Sequence, residues 1–226
     1  MSNVLITGSS GNLGRAVSKK FLDENHTLIA AIEKGDHFNK HKNCTVIETN
    51  LLDEKQADGF IKNAIKAAGK IDFAVLLVGG FAMGAIADTD KEALDKMYML
   101  NFETAYFCLK PLLQHMKKNN FGRIVLIGSR PGLHNELGSE MVAYSLSKSL
   151  IFALAKIANA DAGKHNVITS VIIPSIIDTP VNRKAMPDAD FSKWVTPQKL
   201  AEIIYFSCSK NAADLREPIF KVYNES

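Results

Sequence analysis

Ile6–Phe21 reads ITGSSGNLGRAVSKKF, and the fold turns on what its three glycines do. Gly8, Gly11 and Gly14 follow the apolar run NVLIT (Asn3–Thr7) and open a helical pattern over Leu13–Glu24. Between a strand and a helix, such a cluster serves as a tight turn or as a phosphate loop. Two features separate the readings. The cluster lies in the first strand–helix unit, where backbone N–H groups and the positive end of a helix hold a dinucleotide pyrophosphate. An acidic residue is then expected about 20 residues on to grip the adenosine ribose, and Glu33 ends the second strand pattern, TLIAAIE (Thr27–Glu33). The stretch reads as a phosphate loop. Thr7, Gly8, Ser10, Gly11, Asn12, Leu13 and Gly14 are expected at the cofactor.

Outward from that loop, strand and helix patterns alternate. TVIE (Thr45–Glu48) is a third strand, and a helix follows over about 55–68. The continuous apolar run FAVLLV (Phe73–Val78) suits a strand buried on both faces of a parallel sheet. Thr89 and Glu92 form a capping box for a long helix reaching about Lys118. RIVLIG (Arg123–Gly128) is the next strand, Val142–Ala162 the next helix and NVITSVII (Asn166–Ile173) the strand after it. Thr196 and Pro197 start a last helix, and PIFKVY (Pro218–Tyr223) closes the sheet. The alternation predicts an α/β fold: one domain over 1–226, a Rossmann-type doubly wound parallel sheet with helices on both faces.

Composition narrows the partners. Hydrophobic residues make up 46% and charged residues 23% of 226, enough for one large core. A net charge of +3 without a Lys/Arg block argues for neither nucleic acid nor a membrane surface. No apolar run reaches the roughly 18 residues of a membrane span, and no secretory signal precedes the first strand. Cys44, Cys108 and Cys208 are far apart and odd in number, which reads as a reduced, cytoplasmic chain. His37 and His41 have helical spacing, but KGDHFNKHKN (34–43) is better read as a solvated loop, and no metal site is expected.

Glu33 also bears on the cofactor. Its carboxylate can accept from a ribose 2′-OH and would repel a 2′-phosphate, and no Arg precedes Gly14 in the loop to counter it. NAD is favoured. Lys34 leaves NADP open, because it could face a phosphate if Glu33 swung away.

The chemistry lies further on. AYSLSK (Ala143–Lys148) puts Tyr144 and Lys148 four apart on one helix face. A phenol with a pKa of about 10 is a poor proton carrier at neutral pH, and a nearby ammonium is expected to lower it. Just upstream, IVLIGSRPG (Ile124–Gly132) is a buried strand ending at Ser129. Both segments fall at strand carboxyl ends, where open α/β sheets bind ligands.

With these residues in place, the chain resembles the short-chain dehydrogenases/reductases over nearly its whole length. Gly8, Gly11 and Gly14 resemble that family's coenzyme loop and Glu33 its ribose-binding acid. The resemblance places Gly79 and Gly80 of VGG (Val78–Gly80) at the loop after the fourth strand, and Asn50 after the third. It makes Asn101, in MLNFETAYF (Met99–Phe107), the holder of a proton-relay water. Ser129, Tyr144 and Lys148 complete a catalytic tetrad. PSIIDTP (Pro174–Pro180) matches the segment in which Pro174, the Ile177 backbone and Thr179 meet the nicotinamide. Within the family, TPVNRKAMPDADFSKW (Thr179–Trp194) and GGF (Gly79–Phe81) are similar to the dihydropteridine reductases, and the longer stretch implies a substrate lid.

Three positions depart from the pattern. Asn12 stands where most members have glycine, Ser175 replaces the glycine after Pro174, and Ser129 lies two residues farther from Tyr144 than is usual. A longer loop through Leu133–Glu140 is therefore expected. The pterin-reducing subgroup lacks a serine at the position of Ser129. Its presence argues for an ordinary carbonyl or alcohol, where a hydroxyl donor must stabilise developing oxyanion charge. Three classes follow: an NAD-linked carbonyl or alcohol oxidoreductase acting on a small molecule, a quinonoid-pterin reductase, and a non-catalytic dinucleotide sensor. The apolar helices around Tyr98–Leu113 and Leu146–Ala158 need cover on a second side. By the same resemblance they form a homodimer or homotetramer interface.

Overall fold

The computed structural model describes all residues, Met1–Ser226. Seven parallel strands form one sheet in the order β3-β2-β1-β4-β5-β6-β7: β1 (Asn3–Thr7), β2 (Thr27–Ile32), β3 (Cys44–Glu48), β4 (Phe73–Leu76), β5 (Phe121–Ile127), β6 (Asn166–Pro174) and β7 (Ile219–Val222). The α/β doubly wound prediction stands. Chain order reverses between β1 and β4, and the loops leaving these strands border the crevice where such sheets bind ligands.

Alternate residues of each strand feed opposite faces. Leu5, Ala74, Leu76, Ile124 and Leu126 pack with three helices, α2 (Glu54–Ala68), α4 (Thr104–Lys118) and α6 (Val142–Ala162). Val4, Ile6, Val75, Val125 and Ile172 pack with only two, α1 (Asn12–Asp23) and α8 (Pro197–Cys208). The first cluster holds 28 buried residues and the second 15, as the helix count on each side requires. The cysteines are unpaired, and burial pushes the Cys108 and Cys208 thiols up to about 12. No helix is long and apolar enough to cross a membrane.

Several details differ from the sequence reading. First, β4 stops at Leu76 rather than Val78, because the Leu77 N–H leaves the ladder to donate to Thr7 Oγ1 at 3.1 Å. Second, Asp90, not Thr89, caps the next helix, α3 (Lys91–Tyr98). Asp90 Oδ1 accepts the Ala93 N–H at 2.9 Å, while the Thr89 hydroxyl turns back to the Ala85 carbonyl at 2.8 Å. Third, the long helix is interrupted by a π-helical turn, Met99–Glu103, before α4 resumes. Fourth, the expected loop after Ser129 is itself partly helical: α5 (Arg130–Leu133), then a 3₁₀ turn at Asn135–Gly138. A short helix, α7 (Pro180–Ala185), was not anticipated.

Candidate active site

The phosphate loop is built from backbone. Gly8 sits at φ +65°, open to glycine, and its carbonyl accepts the Gly11 N–H at 3.1 Å. Gly14 lets α1 lie against this turn, since a Cβ there would come within 2.0 Å of the Gly8 carbonyl oxygen. Gly11 caps α1 without a side-chain bond, and no acidic residue occupies the first turn. The free N–H groups at the positive helix end therefore fit a pyrophosphate. A cavity of about 470 Å³ opens beside them, bordered by Gly8, Ser10, Gly11, Glu33, Asn50 and Gly79 among others.

The side chains of some other expected cofactor residues are engaged by the fold itself. Thr7 is buried and its hydroxyl oxygen accepts from Leu77. Leu13 packs on the smaller core, Asn12 is exposed on the first turn of α1, and Gly14 is buried behind the loop. Asp36, which the sequence reading missed, joins Glu33 in the cavity wall and accepts a hydrogen bond from Ser10 Oγ. Arg15 straps the same corner, donating from Nε to the Ser10 carbonyl at 2.7 Å and from its guanidinium to the His37 carbonyl. Asp36 lies in an irregular polar loop, and no spacing rule marks it.

The second part of the site is built from side chains. Asn101 projects from the π-helical turn and is buried, a placement such turns favour at functional sites. It grips the loop after β4: Oδ1 accepts the Gly80 N–H at 2.9 Å and Nδ2 donates to the Gly80 carbonyl at 3.1 Å. Nδ2 also donates to Ser147 Oγ at 3.1 Å, a partner lying unnoticed inside AYSLSK. Gly79 must be small, since a Cβ would meet Asn101 Oδ1 at 2.7 Å and Lys148 Nζ at 3.2 Å. These contacts bring Asn101, Gly79, Gly80 and Lys148 together.

Ser129 is buried at the end of the turn after β5, where its Oγ accepts the Gly132 N–H at 3.1 Å and is left free to donate its own proton. Gly132 allows α5 to lie on α6, because a Cβ there would stand 2.7 Å from the Lys148 Cβ. The two extra residues thus fold into helical turns against α6, and Ser129 still reaches Tyr144. Burial pushes the Tyr144 phenol up, and a hydrogen bond with Ser129 pulls it partly back. The expected lowering by Lys148 is not what this geometry gives. Lys148 Nζ donates to the Ile127 carbonyl at 3.0 Å, and burial brings its own pKa down to about 8. Phe81 stands edge-to-face on the Tyr144 ring at 5.0 Å.

Pro174 ends β6 and is buried. Ile177 pairs with Val195, and its carbonyl accepts from Asn182 Nδ2 at 2.8 Å. Thr179 caps α7, its hydroxyl oxygen accepting the Asn182 N–H at 3.2 Å. The Thr179–Trp194 excursion leaves and rejoins the fold at that Ile177–Val195 bridge. It is held internally by the bidentate Arg183–Asp178 pair at 2.6 and 2.8 Å and by Arg183 stacked on Phe191 at 4.7 Å.

Known proteins place this arrangement. A family model described as short chain dehydrogenase matches residues 2–190. The chain is similar to a dihydropteridine reductase of Dictyostelium discoideum, 29% identical over 210 residues, covering 90% of this chain and 86% of that one. It is also similar to an uncharacterised oxidoreductase of Staphylococcus haemolyticus, 23% identical over 214 residues, with 92% and 91% covered. Among solved structures, ElxO with NADP bound superposes with a TM-score of 0.88 at 25% identity, covering 98% and 97% of the two chains. Thermoplasma acidophilum aldohexose dehydrogenase shares the fold, with a TM-score of 0.87 at 22% identity and 99% and 93% covered. The chain belongs to the short-chain dehydrogenase family, and is an NAD(P)-dependent oxidoreductase acting on a small molecule.

Proposed function

We propose that the chain, working as one domain over 1–226, is an NAD-linked reductase or dehydrogenase of a small carbonyl/alcohol pair. The carrying observation is that Ser129, its hydroxyl proton free, lies beside Tyr144 next to buried Lys148 and the Asn101–Gly80 clamp. The nicotinamide, when bound, supplies or accepts the hydride. Pro174, the Ile177 backbone and Thr179 hold it, while the Gly8–Gly14 loop and Asn50 hold the rest of the dinucleotide. Ser129 and Tyr144 donate hydrogen bonds to the substrate oxygen, and Tyr144 gives it the proton. Burial keeps the Tyr144 phenol protonated at neutral pH, which suits a donor. With a pKa near 8, Lys148 is mostly charged at pH 7, and its remaining N–H groups can bond the nicotinamide ribose. Asn101, already fixing Gly80 and Ser147, supports the route by which Tyr144 is reprotonated.

Glu33 and Asp36 both wall the adenosine end, and this pair of carboxylates supports NAD over NADP, although ElxO was solved with NADP. Unpaired thiols support the reducing, cytoplasmic setting expected from the sequence. Exposed Leu146 and Ile157 on α6, with Tyr98 and Tyr106 on the neighbouring helices, support a homodimer or homotetramer. A monomeric mass by light scattering at micromolar concentration would refute the assembly.

A second reading, quinonoid-pterin reduction, is favoured by the likeness to the Dictyostelium dihydropteridine reductase. One experiment separates the two: NADH oxidation with quinonoid dihydropterin beside a ketone panel, repeated on two variants. With a ketone, Ser129→Ala lowers kcat by about 10²–10³ through loss of one oxyanion donor, leaving NADH affinity nearly unchanged. With a pterin, which needs less polarisation, the same change costs little. Tyr144→Phe is at least as damaging as Ser129→Ala on either substrate. A ketone reductase with full activity in Ser129→Ala overturns the serine's role.

A further inference from the structure

Tyr223–Ser226, the residues that follow β7, reach three parts of the site that are separate in sequence. Ser175, where the family has glycine, donates its hydroxyl to the Tyr223 carbonyl at 2.6 Å, and its Oγ accepts from Ser226 Oγ at 2.7 Å. Arg130, the neighbour of Ser129, donates from Nη1 to the Ser226 carbonyl oxygen at 2.7 Å. Its guanidinium lies over the Tyr223 ring at 4.7 Å. Asn224, at φ +51°, sends Nδ2 to the Ser192 and Trp194 carbonyls at 3.2 and 3.3 Å, where the Thr179–Trp194 excursion ends. The Tyr223 ring packs on the larger core, as does Leu133 of α5, and its Oη is buried without a hydrogen-bond partner. The ring is thus placed by packing and by the arginine, not by its hydroxyl. None of these residues lines the dinucleotide cavity.

We propose that Tyr223–Ser226 is a latch that holds the Ser129 turn, the Pro174–Thr179 segment and the end of the excursion in one mutual arrangement. Arg130 and Ser175 are its positioning residues. The inference rests on the roles given above to Ser129 and to Pro174–Thr179. Side chains that must meet a substrate and a cofactor together work only when their supporting segments are fixed relative to one another. Gly128–Ser129 and Ser175–Thr179 leave β5 and β6 as irregular chain, and the excursion ends in a single 3₁₀ turn; such short connections sample other conformations unless tied. A charge-assisted bond from Arg130 and the serine pair supply that tie from a single anchor. Releasing it lowers the fraction of molecules in the competent arrangement, and the apparent cofactor affinity falls by that fraction.

The test uses the full chain with Arg130→Ala, Arg130→Lys, Ser175→Gly and Asn224→Gly, the last tolerating the left-handed backbone. Hydrogen exchange is followed at the amides of Gly132 and Asp178, which donate to Ser129 Oγ and to the Val195 carbonyl, with the core amides of β1 as reference. NADH affinity is measured by fluorescence titration. Arg130→Ala and Ser175→Gly are expected to speed exchange at Gly132 and Asp178 about 3- to 10-fold relative to β1, and to weaken NADH by a similar factor, the scale of one or two hydrogen bonds. Arg130→Lys recovers part of the loss. The Arg130→Ala/Ser175→Gly double variant falls short of the sum of the singles, as expected of residues in one network. Unchanged exchange in Arg130→Ala, Ser175→Gly and Asn224→Gly overturns the latch. So does faster exchange with undiminished NADH affinity. If the unaltered chain binds no NADH, the cofactor reading fails by itself, and exchange alone still decides the latch.

Discussion

The two ends of the crevice are made of different material. The phosphate end is backbone: Gly8, Gly11 and Gly14 present N–H groups and let two chain segments touch. The proposed chemical end is side chain: Ser129, Tyr144, Lys148 and Asn101 arrive from three elements and are mostly buried. Where backbone meets backbone at Gly14 there is no room for an added atom, and the glycine loop carries no titrating group. A side-chain site tolerates reshaping but depends on protonation. Steric changes should therefore act most strongly at the first end, and pH at the second.

The largest effect is expected from Gly14→Ala. The new methyl would meet the Gly8 carbonyl oxygen at 2.0 Å, so the loop or α1 must shift. The expected outcome is a loss of about 1–3 kcal/mol in urea unfolding, the usual scale of overpacking. NADH binding should weaken at least about 100-fold, or roughly 2.7 kcal/mol. Native-like affinity would show that the end is not set by close backbone contact.

Lys148 tests the other end. Burial brings its pKa from 10.5 to about 8, so the folded chain resists the charged form. Below pH 8 the lysine is protonated whether folded or unfolded, and folding carries the full penalty. Between pH 8 and 10.5 the unfolded chain holds the extra proton, so stability rises with pH, and above that window the penalty is gone. The native chain should gain about 3 kcal/mol across this window relative to Lys148→Met. Urea denaturation of both proteins from pH 7 to 10.5 measures it, and parallel curves would place Lys148 in a wetter site.

The smallest effect lies at the adenosine end, on exposed carboxylates. NADH should bind about tenfold more tightly than NADPH, or roughly 1.4 kcal/mol. Glu33→Ala and Asp36→Ala should each narrow the gap. If only Asp36→Ala does so, discrimination belongs to the acid bonded to Ser10 and not to the one at the strand end. Equal affinities in the native chain would hand the pocket to Lys34.

The same contrast explains what could be read from the sequence. Gly8, Gly11, Gly14 and Glu33 form a local pattern, because backbone geometry and sequence spacing are the same fact over one strand, turn and helix. The parallel α/β alternation and most element limits followed for a similar reason, since apolar periodicity reports burial directly. Tyr144 and Lys148 were visible because one helix carries both. Asp36 was not, since only the folded polar loop brings it to Ser10. Ser175 was visible only as a departure, and its partners lie about fifty residues on, at Tyr223 and Ser226. Capping-box spacing pointed to Thr89, but its hydroxyl bonds locally to the Ala85 carbonyl, and Asp90, the stronger capping residue type, takes the cap. The expected effect of Lys148 on Tyr144 failed because helical spacing says which face a side chain takes, not which carbonyl its tip will find.

The π-helical turn at Met99–Glu103 carries one more residue per turn than the helices it joins. It therefore works as a phase shifter in the run from Lys91 to Lys118. In genetic terms the turn is equivalent to one extra codon, and it turns Asn101 inward. Deleting one residue there would restore a regular helix and rotate all of α3 by about 100° against α4. Asn101 would leave Gly80, and Tyr98 would leave the aromatic row it shares with Phe102 and Tyr106. The deletion would thus disconnect the inside of the site from the outside of the molecule in one event.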